Sequence, residues 1–355
     1  MAKPHRSSRD GVGRVPRPTP VTDEAARKRS AALESAGPFQ TSDPADVRWL
    51  LCGRGRPVAA GTSPYAVRLT RDRAEVLYQD IEAPRIRTDE RWEELGYEPV
   101  SYPWYNAAPN GLPAPDLTAL RRSLGPEELE RYRRAGRDVA GAFVEALDHL
   151  GPELRELDAT AELTRRLHER GFTTPVLLAG GESRAAVHRH PLPTEERLGR
   201  FAILAVTAER DGLYASITRV VSFGPAPEEL RERVWAAAQV DGAVLAASRP
   251  GATIAALFDV LVGAYASLGL RDEWRLHHQG GLTGYAGREV FAIAGDPTVL
   301  PPACAVAWNP SVSGGGKSED TALVTGDGVE VITRTPQLPE LHTSAGIVRA
   351  AVVEL

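Results

Sequence analysis

Histidine is scarce in this 355-residue chain, with eight in all, and four of them stand in two short clusters: His188-Arg189-His190 and His277-His278. The second cluster opens a glycine-rich stretch, HHQGGLTGYAGRE (277–289), which also carries Tyr285, Arg288 and Glu289. Two more polar knots follow, WNPS around Asn309 and KSED with Lys317 and Glu319. An imidazole near neutral pH can take a proton and return it. A carboxylate or guanidinium can hold the polar end of a substrate. Other chemistries fail on the pattern. A phosphate loop needs a strand, a glycine turn and a helix start, whereas LTGYAGREVFAIAG runs on as strand-like sequence without a Lys-Ser/Thr ending. His277 and His278 are adjacent, so they point apart on a helix or a strand and do not share a metal. His188 and His190 are two apart and face one side if their segment is a strand. GESRA (181–185) lacks the last glycine of a nucleophile elbow.

The elements that must position these groups follow from patterning. Residues 1–38 are rich in Arg, Pro, Ser and Ala and read as a flexible lead-in, with a short helix possible over 22–36. Residues 39–115 form a first α/β unit: DVRWLLCG and YAVRLTRDRAEVLYQ read as strands, IEAPRIRTDERWEELG as a helix ending at Gly96, and YEPVSYPW as a strand. The second unit, 116–355, opens with long helical patterns from Pro126 and over TAELTRRLHERG. Antiparallel sheet over 173–224 comes next, then two helices up to residue 270, then short strands with a Gly-Asp-Gly hairpin at 326–328. Helices followed by strands, twice over, give an α+β class.

Composition narrows the function. Net charge is −5, which implies no nucleic-acid partner. The longest apolar run, 251–270, carries Asp259 and helical periodicity, so no membrane span is expected. Only Cys52 and Cys304 occur, which fits a reducing cytoplasm and argues against a disulfide framework or a cysteine zinc cluster.

The order PEELERYRRAGRDVAGAF, ATAELTRRL, GGESRAAVHRHPLP, GLYASITRVVSFGP, HHQGGLTGYAGRE and WNPSVSGGGKSEDTALVTGDGVEVIT resembles the pita-bread superfamily. That superfamily comprises Xaa-Pro aminopeptidases, prolidases, methionine aminopeptidases and creatinase. The resemblance implies a pita-bread C-terminal domain behind a small creatinase-like α/β domain. Its metallopeptidases hold two metal ions on five side chains, and carried onto this chain those positions fall at Ala205, Ser216, Gly280, Asn309 and Glu319. Only the last is a ligand type, so the resemblance implies a member with neither metal nor cofactor. Creatinase cleaves a C–N bond without metal through a histidine, and His188 falls on the matching position. The resemblance also implies a homodimer in which one N-terminal domain closes the neighbouring site. Ser63 falls where creatinase's partner subunit contributes an arginine, with Arg54 and Arg56 nearby.

The leading expectation is a metal-independent, creatinase-like enzyme acting on a C–N bond of a small polar substrate, amino-acid-like or a guanidino or amide compound. His188 acts as general acid/base and Glu319 as its catalytic partner or substrate anchor. His190, His277, His278, Tyr285, Arg288, Asn309, Ser216 and Lys317 are substrate-binding candidates. Arg288 clamps a carboxylate or pairs with Glu289 or a neighbour; Lys317 contacts substrate or pairs with Glu319. The alternatives are a non-catalytic binding protein, a lyase or isomerase using the same cleft, and an atypical metallo-aminopeptidase.

Overall fold

The computed structural model describes residues 21–58 and 63–355. The lead-in read as flexible is helical from Val21: α1 (Val21–Ala36) buries Ala25, Lys28 and Ala32. The flexible reading of residues 1–20 lies outside the described residues. A first sheet runs in the order β1 (Phe39–Thr41), β2 (Tyr65–Leu69), β3 (Ala74–Gln79), β4 (Glu98–Tyr102). DVRWLLCG is not a strand. Pro44–Leu50 forms α2, because the Asp43 side chain accepts from the Asp46 N–H and Pro44 occupies the first turn. The single helix read over 80–96 is a chain of short 3-10, α and π turns that closes at Gly96.

The second sheet holds the candidate site. Its core order is β5 (Thr173–Gly181), β6 (Phe201–Arg210), β7 (Leu213–Ser222), β13 (Glu319–Thr325), β10 (Cys304–Trp308), β8 (Gly280–Thr283), β9 (Val290–Phe291). The short β11 (Ser311–Val312) and β12 (Gly316–Lys317) pair with each other between β10 and β13. β14 (Gly328–Val331) returns from β13 through Gly326-Asp327, as the Gly-Asp-Gly signal implied. Four helices cover the convex side: α3 (Pro126–Leu147), α4 (Glu156–His168), α5 (Glu228–Ala247) and α6 (Ile254–Ser267). This is the curled sheet that the pita-bread resemblance implies. Among the described residues no helix is long and apolar enough to cross a membrane.

Strand parity explains how a long apolar strand serves the site. Along β6, Ala202, Leu204, Val206 and Ala208 pack with helix residues such as Val139 and Leu163, while Ala205 and Thr207 face the concave side. The β6–β7 turn is two residues, Asp211 (φ 54°) and Gly212 (φ 79°), a left-handed pair that fixes register so that Thr207 stands opposite Ser216 and Ala205 opposite Thr218.

Two buried charge networks tie the layers together. In the first, the Lys28 Nζ lies 2.7 Å from both Glu24 and Glu128. Arg131 closes on Glu24 at 2.7 Å, and the Tyr285 hydroxyl donates to Glu128 at 2.7 Å. In the second, Arg349 reaches Asp241 at 2.6 Å and Asp320 at 2.9 Å, and Arg219 reaches Asp320 at 3.0 Å. The first network makes stability acid-sensitive. Burial raises the Glu24 pKa, but Arg131 and Lys28 outweigh it and hold the carboxyl at about 2. A carboxyl lowered on folding stabilises above its unfolded value and loses that contribution as pH falls through the folded one. From about 4.5 down to about 2 the loss is roughly 3 kcal/mol. Glu24→Gln should therefore flatten the fall of the urea midpoint across that window.

Candidate active site

A cleft of about 330 Å³ opens on the concave face of the large sheet. One wall is polar, made of His190, His278, Arg288, Asn309, Lys317 and Glu319; the other is apolar, with Pro175, Val176, Leu178, Ala205 and Phe291. A pocket with one charged wall and one greasy wall suits a small amphiphilic molecule.

Glu319 is the best-fixed group. It opens β13 beside Thr218 of β7. One carboxylate oxygen accepts from Arg288 at 3.1 Å and the other from the Thr218 hydroxyl at 2.7 Å. Burial opposes its charge, yet Lys317 and Arg288 hold its pKa below the usual range. Its neighbour Asp320 points the other way, into the Arg219–Arg349 network, so β13 is clamped from behind. Arg288 pairs with Glu319, not with Glu289, whose carboxylate goes to Arg121 at 3.0 Å.

Lys317 is only 6% exposed. No hydrogen bond or ion pair reaches its ammonium among the described residues, so it acts on Glu319 through space, without a direct bridge. Burial drives its pKa down, with Glu319 opposing. A buried, unpartnered ammonium at a cleft wall is costly unless it loses its proton or receives an anion. Asn309 adds a buried amide oxygen without a partner.

The histidines need correction. HRH is not on a strand: Glu182–Ala185 is a short helix, and His188 follows it in a loop, exposed and away from the cleft lining. His190, two residues on, is the one that reaches the cleft. Arg189 between them pairs with Glu273 at 2.6 Å, which draws this loop against the segment leading to His277. The Nε2 atoms of His190 and His277 lie 2.9 Å apart, and the His277 and His278 rings stack with centroids 4.6 Å apart. The adjacent pair was read as pointing apart; instead, ligand-type atoms of all three histidines fall within 4.8 Å of one another. Burial lowers all three pKa values, that of His278 to about 4 with help from Arg288.

Two more candidates leave the cleft. Tyr285 is fully enclosed in the Lys28–Glu128–Arg131 network. Ser216 is buried behind the wall, its hydroxyl on Thr207 at 2.9 Å. Thr207, Thr218 and Tyr214 of the cleft region were missed; the β-parity of Ala205 and Ser216 was the signal that pointed to the two threonines.

The chain belongs to metallopeptidase family M24, whose pattern it matches over residues 130–326, more than half its length. It is 25% identical to the probable dipeptidase PepE of Mycobacterium tuberculosis over 232 residues, which is 62% of this chain and 60% of that protein. It thus spans less than two thirds of that relative. The fold is that of dipeptidase PepE from Mycobacterium ulcerans (TM-score 0.70, 18% identity, 89% of this chain and 97% of the other). It is also that of Xaa-Pro dipeptidase from Bacillus anthracis (TM-score 0.68, 18% identity, 89% and 98%).

The dinuclear metal centre implied by the superfamily does not fit these residues. Ala205 offers no donor, Ser216 and Asn309 offer only neutral oxygens, and Glu319 has both oxygens engaged. Gly280 sits at φ 89°, and a Cβ there would overlap the Ala307 carbonyl oxygen, so the backbone has no room for a ligand side chain. Lys317 and Arg288 place positive charge where two divalent ions would need negative charge.

Proposed function

We propose that this chain cleaves a C–N bond in a small, amino-acid-like substrate without the family's dinuclear centre. The observation that supports this reading is a cleft wall that sets two cations, Lys317 and Arg288, beside a single carboxylate, Glu319. Lys317 and Arg288 suit a substrate carboxylate, and the Pro175–Leu178 wall suits an apolar or uncharged remainder. Glu319, held by Arg288 and Thr218, suits an amino, amide or guanidino N–H. His278 and His190, the imidazoles on the same wall, take the proton from an attacking water and return it to the leaving nitrogen. His190 carries the role that the sequence assigned to His188.

The test is turnover of N-acyl, amide and guanidino amino acids by chelator-treated protein. His278→Ala should lose roughly 10²–10⁴-fold in kcat, the usual contribution of a positioned acid/base, while His188→Ala keeps wild-type turnover. A compound that stabilises the wild type against heat yet is never converted would establish a binding protein instead. Turnover that appears only on adding Mn2+ or Co2+ would restore the metallopeptidase reading.

A further inference from the structure

We infer that His190, His277 and His278 form a mononuclear site for a transition-metal ion, on residues other than those at the family's five ligand positions. The proposal goes beyond the reading above and does not rest on it.

Three observations converge. The first is composition: three imidazoles are a ligand set that zinc, copper, nickel, cobalt and iron accept, and a three-histidine site leaves one position open. The second is geometry. With metal–nitrogen bonds of about 2.0–2.1 Å, two ligand atoms of a tetrahedral ion lie roughly 3.3 Å apart. The 2.9 Å between the His190 and His277 nitrogens needs only a small opening, and all three rings present an atom within 4.8 Å of the others. The third is an orphan. His277 is 7% exposed and its Nδ1 is buried without a partner. A single N–H shared between His190 and His277 leaves that atom unsatisfied in either tautomer. An ion on the His277 Nε2 replaces the contact between the two rings, and Nδ1 then carries the proton, so the orphan shows only that the protein alone does not complete the polar shell of His277.

The ligands are held from behind, as metal sites require. Arg189 pins the His190 loop to Glu273, Ser311 and Ser313. Gln279 donates to the His277 and Trp274 carbonyls and accepts from the Tyr265 hydroxyl. Both devices fix the backbone on either side of the trio before any ion arrives. Lys317 and Arg288 make the surroundings cationic, with Glu319 offsetting part of that charge. The site therefore favours an ion whose open position carries an anion, either hydroxide or a carboxylate entering the cleft. A metal and a proton compete for the same nitrogen lone pairs, so an occupied site removes the imidazoles from acid/base work.

The experiment uses the full chain, freed of metal by chelator and dialysis. Calorimetric titration with Zn2+ should give one ion per chain, and Co2+ should give the visible d–d bands of a four-coordinate nitrogen site. His277→Ala and His278→Ala should each weaken Zn2+ by roughly 100-fold or more, since loss of even an outer partner of a ligand costs 10–100-fold. Asn309→Ala, on the same cleft wall, should bind as the wild type does, and circular dichroism checks that each variant is folded. No Zn2+ uptake by the wild type overturns the proposal. So does binding that survives both histidine substitutions but is lost in Glu319→Gln, which would put the ion at the surviving family carboxylate. Turnover measured with and without Zn2+ separates the two readings. A bound ion that abolishes turnover leaves both standing, and a bound ion required for turnover keeps the site while ending the metal-independent mechanism.

Discussion

Asp320→Ala is expected to destabilise the chain by about 3–5 kcal/mol, the usual cost of removing one partner from a buried ion pair. Asp320 is 3% exposed and is shared by Arg219 and Arg349, each 2% exposed. Alanine leaves both guanidiniums short of a carboxylate, and among the described residues Asp241 is the only acid left to pair with Arg349. The Thr333 hydroxyl also loses its 2.7 Å acceptor. The urea midpoint of the variant measures the effect, and Asp320→Asn, which keeps the shape and an acceptor oxygen, should fall between the two. An unchanged midpoint in Asp320→Ala would show that the network does not hold β13. A site consequence follows, because Glu319 is the adjacent residue and faces the cleft only while β13 is clamped. Asp320→Asn should therefore lower ligand affinity without touching the ligand.

Gly280→His, which puts a histidine where the superfamily resemblance implies one, is expected to cost about 2–6 kcal/mol and to gain no dinuclear centre. The φ of 89° alone costs roughly 1–3 kcal/mol for a residue with a Cβ. Overlap with the Ala307 carbonyl and the Trp308 backbone adds roughly 1–3 kcal/mol of overpacking. Gly280→Ala isolates these terms from the imidazole, and thermal unfolding of both variants measures them. If Gly280→Ala is as stable as the wild type, the backbone here is free to move and the steric objection to a family-type ligand falls. At Gly280 the main chain itself opposes a side chain of any kind.

The fold was legible because its signals are local: Pro126 at a helix start and Gly-Asp-Gly at 326–328. DVRWLLCG misled because a short, mostly apolar run fits strand and helix alike, and the deciding signal was the Ser-Asp-Pro before it. The cleft was legible in part. Glu319, Arg288, Asn309, Lys317, His190 and His278 come together as polar residues on one concave wall. His188 was misplaced because the parity argument presumed a strand, and the short Glu182–Ala185 helix shifts the reachable histidine by two residues. Tyr285 was misplaced because its partner Lys28 is 257 positions away in sequence. The three-histidine cluster depends on Arg189 meeting Glu273, a contact 84 positions apart that no spacing within either motif announces.

Lys317 has one more consequence. The chain has three lysines, Lys3, Lys28 and Lys317, and the two among the described residues are both buried. Lys28 is sealed by two carboxylates, whereas Lys317 opens to the cleft and sheds its proton more readily than an ordinary lysine. On the folded protein, amine-directed acylation by a reagent small enough to enter is thus concentrated at residue 317 among the described lysines. Mass tagging there becomes a readout of whether the cleft is full or empty, usable before any natural substrate is in hand.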